Sequence, residues 1–157
     1  FNPFARESIL WTIENISEKY FRFLSYLKSD FTKNNILFVH GSPGNPEKWN
    51  YISSSYDAEK YFSEMVEPLC FIGHSHVAGV YKDYDSTEIL KSGKTIINVG
   101  SVGQPRDGNK NASFGLFDTD RWIYSNFRVK YDFEKTREKI IKNRLPQFLA
   151  DRLLKGL

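Results

Sequence analysis

Residues 5–28 carry apolar side chains at spacings of three and four, a period typical of helices with one apolar face. This apolar stripe consists of Ile9, Ile13, Ile16, Tyr20, Phe23, Leu24 and Leu27. Ser17 followed by Glu18 is a typical helix start, because a serine side chain can accept a hydrogen bond from the first turn. The pattern therefore predicts two helices with a break near residue 16 or 17.

Short apolar runs separated by turn residues predict strands in the middle of the chain. The clearest runs are residues 35–40 and 69–72. Further strands are predicted at residues 78–84, 87–90 and 94–99, followed by a hairpin of residues 113–118 and 122–130. Helices are predicted at residues 57–66, from residue 133, and again from Pro146. This order predicts an antiparallel or mixed sheet with helices outside it.

The composition is that of a globular protein. The chain has 157 residues, of which 40% are hydrophobic and 16% aromatic, enough for one domain with a core. No apolar run reaches the ~18 residues that a membrane helix needs. The net charge of +3 is too small to indicate nucleic acid, which we expect only as a substrate. The single cysteine, Cys70, is interpreted as a small buried hydrophobe, and its isolation favours a reducing, cytoplasmic compartment.

All three histidines follow apolar runs. His40 ends the first of the clear strands, and His74 and His76 come just after the second. Imidazole is the commonest metal-binding side chain, and alternation along an extended backbone would turn His74 and His76 to the same side. A lone histidine is more often a hydrogen-bonded core residue. The sequence nevertheless predicts a transition-metal site at the strand ends.

Three segments in this order resemble the calcineurin-like metallophosphoesterases, most closely the small prokaryotic phosphodiesterases and phosphatases. They are residues 39–41 (Val-His-Gly), residues 73–76 (Gly-His-Ser-His) and the glycine-rich residues 98–108. The resemblance extends to residues 145–153 and so covers nearly the whole chain. It implies the α/β (α+β) fold of that family, a four-layer αββα β-sandwich, of which only the C-terminal portion is expected here. Val99 stands where the family has proline.

The resemblance also implies a site with two divalent metal ions (Mn, Fe, Ni or Zn), in which His40 and His74 bind one ion and His76 the other. The family motifs that carry the acidic ligands have no counterpart here, and residues 1–3 resemble the segment that follows them. We therefore expect residues 1–157 to be one domain, the C-terminal half of the family domain, with the N-terminal half missing. That half would supply the Asp, His and Asn ligands for phosphoester hydrolysis, and the fragment alone would be inactive.

Other residues near the motifs have two interpretations each. Arg106 is weighed equally as a phosphate contact and as an ion-pair partner of Asp107, which itself is expected to form a turn. Ser42 and Asn45 are expected to form a turn rather than to contact substrate.

Metal-bound imidazole usually donates its other N–H to a carbonyl or carboxylate. We expect the carbonyl groups around Gly73, Gly100 and Ser101 to serve here.

Two alternatives to the enzyme remain open from the sequence. The first is a scaffold or binding module that keeps the fold without catalysis. The second is a mononuclear zinc site of an unrelated hydrolase, which would need a carboxylate such as Asp57 or Asp83 near the histidines. A phosphoester substrate, the missing half and a second copy of the chain are the candidate partners, and no membrane is expected.

Overall fold

The computed structural model describes residues 2–157. Phe1, one of the three residues in the resemblance at residues 1–3, lies outside the described residues. Two helices come first and are separated at Ile16 and Ser17, as predicted. The helices are α1 (Pro3–Asn15), α2 (Glu18–Ser25), α3 (Ser55–Phe62), α4 (Phe133–Lys142) and α5 (Gln147–Asp151). Short 3₁₀ turns occupy Pro46–Lys48 and Arg152–Leu154.

The described residues form two separate sheets. The strands are β1 (Asp30–Lys33), β2 (Ile36–Val39), β3 (Leu69–Ile72), β4 (Gly79–Lys82), β5 (Thr95–Asn98), β6 (Ala112–Asp118) and β7 (Ile123–Val129). The larger sheet has the order β1-β2-β3-β5-β4, and the smaller is the β6-β7 hairpin. Strands β2, β3 and β5 are parallel, while β1 and β4 pair antiparallel at the edges. The mixed sheet with flanking helices and the hairpin are confirmed.

Two predicted elements differ from the structure. Residues 87–90, predicted as a strand, are not in a strand, and the backbone amide of Leu90 instead donates to the Tyr84 hydroxyl. Strand β1 was not predicted, because its four residues are all exposed and show no alternation of apolar and polar side chains. It forms only by pairing with β2 at the edge of the sheet.

The core lies on the central parallel strands. Leu69, Cys70, Ile96 and Ile97 are fully buried, and α3 covers one side through Ala58 and Tyr61. Cys70 is buried as expected, and this burial raises the pKa of its thiol. Among the described residues of α1 and α2, none is buried, so the predicted apolar stripe does not contribute to the core.

Candidate metal centre

His40 and His74 meet because their strands are parallel neighbours. His40 follows β2 directly and His74 follows β3 after one glycine, so both lie at the carboxyl edge of the sheet. The amide of Gly73 donates to the His40 carbonyl at 3.0 Å, which links the two strand ends. The ring centroids of His40 and His74 are 5.3 Å apart. Two imidazoles at this separation can face a common ion.

His76 joins the same cleft by a route that differs from the expected one. Alternation along an extended strand was expected to turn His74 and His76 to one side. Instead, both residues have left-handed backbones, with φ of 62° and 61°. Such φ values are uncommon for non-glycine residues and often mark functional loops. All three histidines line one open cleft of about 650 Å³, which we call the histidine cleft.

Asn98 fixes the loop that carries His74 and His76. It is fully buried at the end of β5, and its Nδ2 donates to the Gly73 carbonyl at 2.6 Å and to the Ser75 Oγ at 2.8 Å. Its Oδ1 accepts from the amide of Gly100 at 3.0 Å. One side chain therefore joins the histidine loop to the glycine-rich loop. Ser75, buried between the two histidines, is held by this bond.

The hydrogen bond of His76 defines which ring nitrogen can bind a metal. Its Nδ1 lies 2.7 Å from the backbone carbonyl of Gln104. A carbonyl can only accept, so Nδ1 carries the proton and Nε2 has its lone pair available. The expected kind of partner is found, but it is Gln104 rather than Gly73, Gly100 or Ser101, because the glycine-rich loop continues past them to reach the ring.

The surroundings of His74 and His76 favour their neutral forms. Burial lowers the pKa of His74, and the neighbouring His40 lowers it further. Burial also lowers the pKa of His76, helped by the positive charge of Arg106, His40 and Arg152, against the Gln104 hydrogen bond, which raises it. Neutral imidazole is the form that binds a metal.

Two aromatic residues that sequence reasoning missed enclose His74. The Tyr51 ring stacks on His74 with centroids 4.1 Å apart, and Trp49 lies 5.8 Å from it. Trp49 also meets His40 edge-on at 5.4 Å. Both follow the turn-rich loop after β2. Their position at the end of that loop is the only sequence signal that could have indicated them.

One carboxylate, Asp30, lines the histidine cleft, but no metal-binding group is complete within residues 2–157. In that range, no group of three or more His, Cys, Asp or Glu side chains is arranged to hold a metal ion. Asp57 and Asp83, the carboxylates proposed for a mononuclear zinc site, are outside the residues that line the histidine cleft. Asp57 instead binds the amide of Ser53, and Asp83 that of Lys94. The three imidazoles therefore share a cleft without forming a metal-binding group by themselves, although imidazole is a ligand that suits borderline metals.

The comparisons with known proteins agree with this geometry. The profile of the calcineurin-like phosphoesterase superfamily domain matches residues 14–121. The chain belongs to the calcineurin-like phosphoesterase superfamily. Membership supports phosphoester hydrolysis as the general activity and divalent metals as the general cofactor. The match spans most of the chain and does not support the expectation that this is only the C-terminal half of the domain.

Individual relatives of this chain agree with the family match. An uncharacterized protein of Methanocaldococcus jannaschii is 36% identical over 168 residues, covering 99% of this chain and 68% of the relative. A metallophosphoesterase from Sphaerobacter thermophilus is 32% identical with a TM-score of 0.87, covering 99% of this chain and 70% of that one. This likeness confirms the mixed α/β fold class.

A hypothetical protein from Pyrococcus horikoshii OT3 has a TM-score of 0.81 at 17% identity, covering 100% of this chain and 62% of that one, and shares the fold.

In the structure, Arg106 does not pair with Asp107. Asp107 instead forms an ion pair with Arg128 of β7 and accepts from the amide of Asn109, as a turn residue does. The Arg106 guanidinium donates to Gln104 Oε1 from Nε at 3.3 Å and from Nη2 at 2.9 Å. It faces a cavity next to the histidine cleft.

Ser42 and Asn45 do not line the histidine cleft. Ser42 is fully buried, and the amide of Asn45 donates to the Pro43 carbonyl in a tight turn. These positions agree with the interpretation of Ser42 and Asn45 as turn residues. Among residues 2–157, no helix is long and apolar enough to cross a membrane.

Proposed function

We propose that this chain carries the histidine ligands of a binuclear phosphoesterase that hydrolyses phosphomonoesters or phosphodiesters. The observation that carries the proposal is that all three histidines line one cleft at the carboxyl edge of the sheet, where burial favours the neutral forms of His74 and His76. His40 and His74 would bind one ion, and His76 would bind the other through Nε2. Two bound ions would supply an activated water and neutralise the phosphoryl oxygens.

The chain's own residues orient these ligands. The Gln104 carbonyl fixes the tautomer of His76, and Asn98 fixes the loop that carries both His74 and His76. Tyr51 and Trp49 cover His74 and limit the access of bulk water to that ring. This support is the kind that metal-bound imidazoles need for a defined orientation.

The proposal requires donors from outside this chain. Three imidazoles lack the negative charge that a bridging carboxylate brings, and the described residues hold no three-donor group. We propose that acidic and amide ligands from an N-terminal segment or a partner chain complete the site. The chain alone would then bind metal weakly and show little or no turnover.

A catalytically silent scaffold is the second candidate, and the incomplete donor set favours it. Metal-dependent turnover separates the two functions. The experiment compares the chain alone with the chain extended at its N-terminus by a segment that carries Asp, His and Asn ligands, in Mn²⁺, on p-nitrophenyl phosphate and bis-p-nitrophenyl phosphate. Metal content is measured in parallel by elemental analysis.

We expect turnover only from the extended protein, and a loss of at least about a hundredfold in His76→Ala. Asn45→Ala, a turn residue outside the cleft, is the control and should keep full activity. An extended protein that binds no metal and turns over neither ester would support the scaffold. Turnover that survives His76→Ala would refute the role of the histidines.

A further inference from the structure

A second cavity, of about 630 Å³, adjoins the histidine cleft. We call it the arginine cavity, after Arg106 and Arg152 in its wall. Two other residues of its wall contact the histidines directly. Tyr51 stacks on His74, and Gln104 binds His76 through its backbone carbonyl. A single layer of side chains therefore separates the histidine cleft from this cavity.

The charge of the arginine cavity is positive. None of the described residues that line it is acidic. The two acidic residues next to these arginines in sequence pair elsewhere, Asp107 with Arg128 and Asp151 with Arg137 at 3.2 Å. Arg152 donates from Nε to the backbone oxygen of Leu157. Arg106 uses its Nε and Nη2 on the neutral Gln104 side chain.

The two guanidinium groups are close enough to repel each other. Burial lowers the pKa of Arg152, and the charge of Arg106 lowers it further. Guanidinium stays charged in proteins, so the repulsion is not relieved by loss of a proton. Two partly buried cations without a carboxylate between them favour the binding of an anion. Planar guanidinium groups hold phosphate in particular, through paired hydrogen bonds.

Much of the remaining wall of the arginine cavity is apolar, with Asn2 and Ser8 as its polar members. The apolar part is formed by α1, α4, α5 and the turn between α4 and α5, through Ile9, Ile140, Leu145, Phe148 and Leu149. Phe148 is half exposed, Phe4 stacks on its ring with centroids 5.1 Å apart, and the Arg152 guanidinium lies over the ring, 5.4 Å from its centre. The exposed edge of this ring and the neighbouring aliphatic side chains offer an apolar surface beside the Arg152 cation, against which an organic group can pack next to its own anionic substituent.

We propose that the arginine cavity binds the part of the substrate that is not hydrolysed, an aromatic or apolar group that carries a second phosphate. Arg106 and Arg152 bind that phosphate, and Phe148 with its apolar neighbours holds the organic group. The substrate class is then a phosphoester with two anionic groups on an apolar organic body. This inference rests on the proposed function, since it assumes that the first phosphate lies in the histidine cleft.

The test measures binding to the metal-free protein by calorimetry, so that it does not depend on hydrolysis. Phenylphosphonate has an aromatic group and one anionic group and cannot be hydrolysed as an ester. Methylphosphonate has the anionic group alone. We expect phenylphosphonate to bind about tenfold more tightly than methylphosphonate. We also expect Arg152→Gln to weaken both by about tenfold, the loss of one charge-assisted contact.

Phe148→Ala should weaken phenylphosphonate alone and leave methylphosphonate unchanged. The charge-matched control is Lys155→Gln, an exposed cation three residues after Arg152 that does not line the cavity. If Arg152→Gln fails to fold by circular dichroism, Arg152→Lys replaces it and should retain methylphosphonate binding while losing part of the affinity. Equal losses in Lys155→Gln, or no binding by the unmodified protein, would overturn the proposal.

This outcome is separate from that of the metal assay. Phosphonate binding without turnover would leave the arginine cavity supported and the hydrolase in question. Turnover with no effect of Arg152→Gln on phosphonate binding would support the hydrolase and reject the cavity as a subsite.

Discussion

Asn98 is the residue on which the geometry of the histidine loop depends. Its amide satisfies three polar groups, the Gly73 carbonyl, the Ser75 hydroxyl and the Gly100 amide, in a fully buried position. A buried polar group that loses its partner costs about 1–3 kcal/mol. We expect Asn98→Ala to lower the free energy of unfolding by about 2–4 kcal/mol. Urea unfolding followed by circular dichroism measures the difference.

The control for Asn98 is Gln147→Ala, an exposed amide on α5, for which a change within about 0.5 kcal/mol is expected. Similar stabilities for Asn98→Ala and the unmodified protein would mean that the two loops are held by other contacts.

At the scale of residues, the sequence reveals which side chains can bind ligands but not which of them come into contact. The three histidines could be found because imidazole after an apolar run is a recognisable signal. Arg106 was found because it is a guanidinium side chain in a glycine-rich loop. Arg152 and Tyr51 could not be found, because each lies far along the chain from the residues it meets. Arg106 was weighed against the wrong alternative, since Asp107 is taken by Arg128 from β7.

At the scale of elements, long periodic segments were predictable and short exposed ones were not. The break at Ser17 and the β6-β7 hairpin follow from local signals that need no tertiary partner. Strand β1 exists only through its pairing with β2, and residues 87–90 have strand-forming residues but no strand to pair with. The left-handed backbones of His74 and His76 are also imposed by the loop's contacts, so alternation was the wrong guide there.

The Asp107–Arg128 pair links the glycine-rich loop to β7 and gives stability that depends on pH. Burial alone would raise the pKa of Asp107, but the hydrogen bonds and charge of Arg128 outweigh it and hold that pKa below 3.8. A carboxyl group whose pKa is lower in the folded state stabilises the fold above its unfolded pKa. The contribution disappears as the pH falls through the folded value.

We therefore expect Arg128→Gln to lower the free energy of unfolding by roughly 1–2 kcal/mol at pH 7, and this difference should shrink as the pH falls below 3.8. Urea unfolding at a series of pH values measures it. Arg121→Gln is the matched control, because its partner Asp118 is on the surface and both side chains are well exposed. A deficit of the same size at pH 2 and pH 7 would contradict an electrostatic origin.

At the scale of the whole molecule, stability is expected to reside in the central sheet and not in the N-terminal helices. The apolar stripe of α1 and α2 has the period of a core-facing helix, yet Ile13 is 60% exposed whereas Ile96 of β5 is fully buried. The period identifies which side chains share a face but says nothing of what covers that face. A pair of identical substitutions can test the difference.

Ile96→Ala removes a fully buried side chain between β3 and β4, so we expect a loss of about 2–5 kcal/mol in the free energy of unfolding. Ile13→Ala removes the same atoms from an exposed helix position, and alanine is the better helix former, so the change should stay within about 0.5 kcal/mol. Urea unfolding of the 157-residue chain measures both. A loss above about 2 kcal/mol for Ile13→Ala would show that α1 packs on an apolar partner in solution, such as a second copy of the chain. Sedimentation velocity at several protein concentrations would then reveal that association.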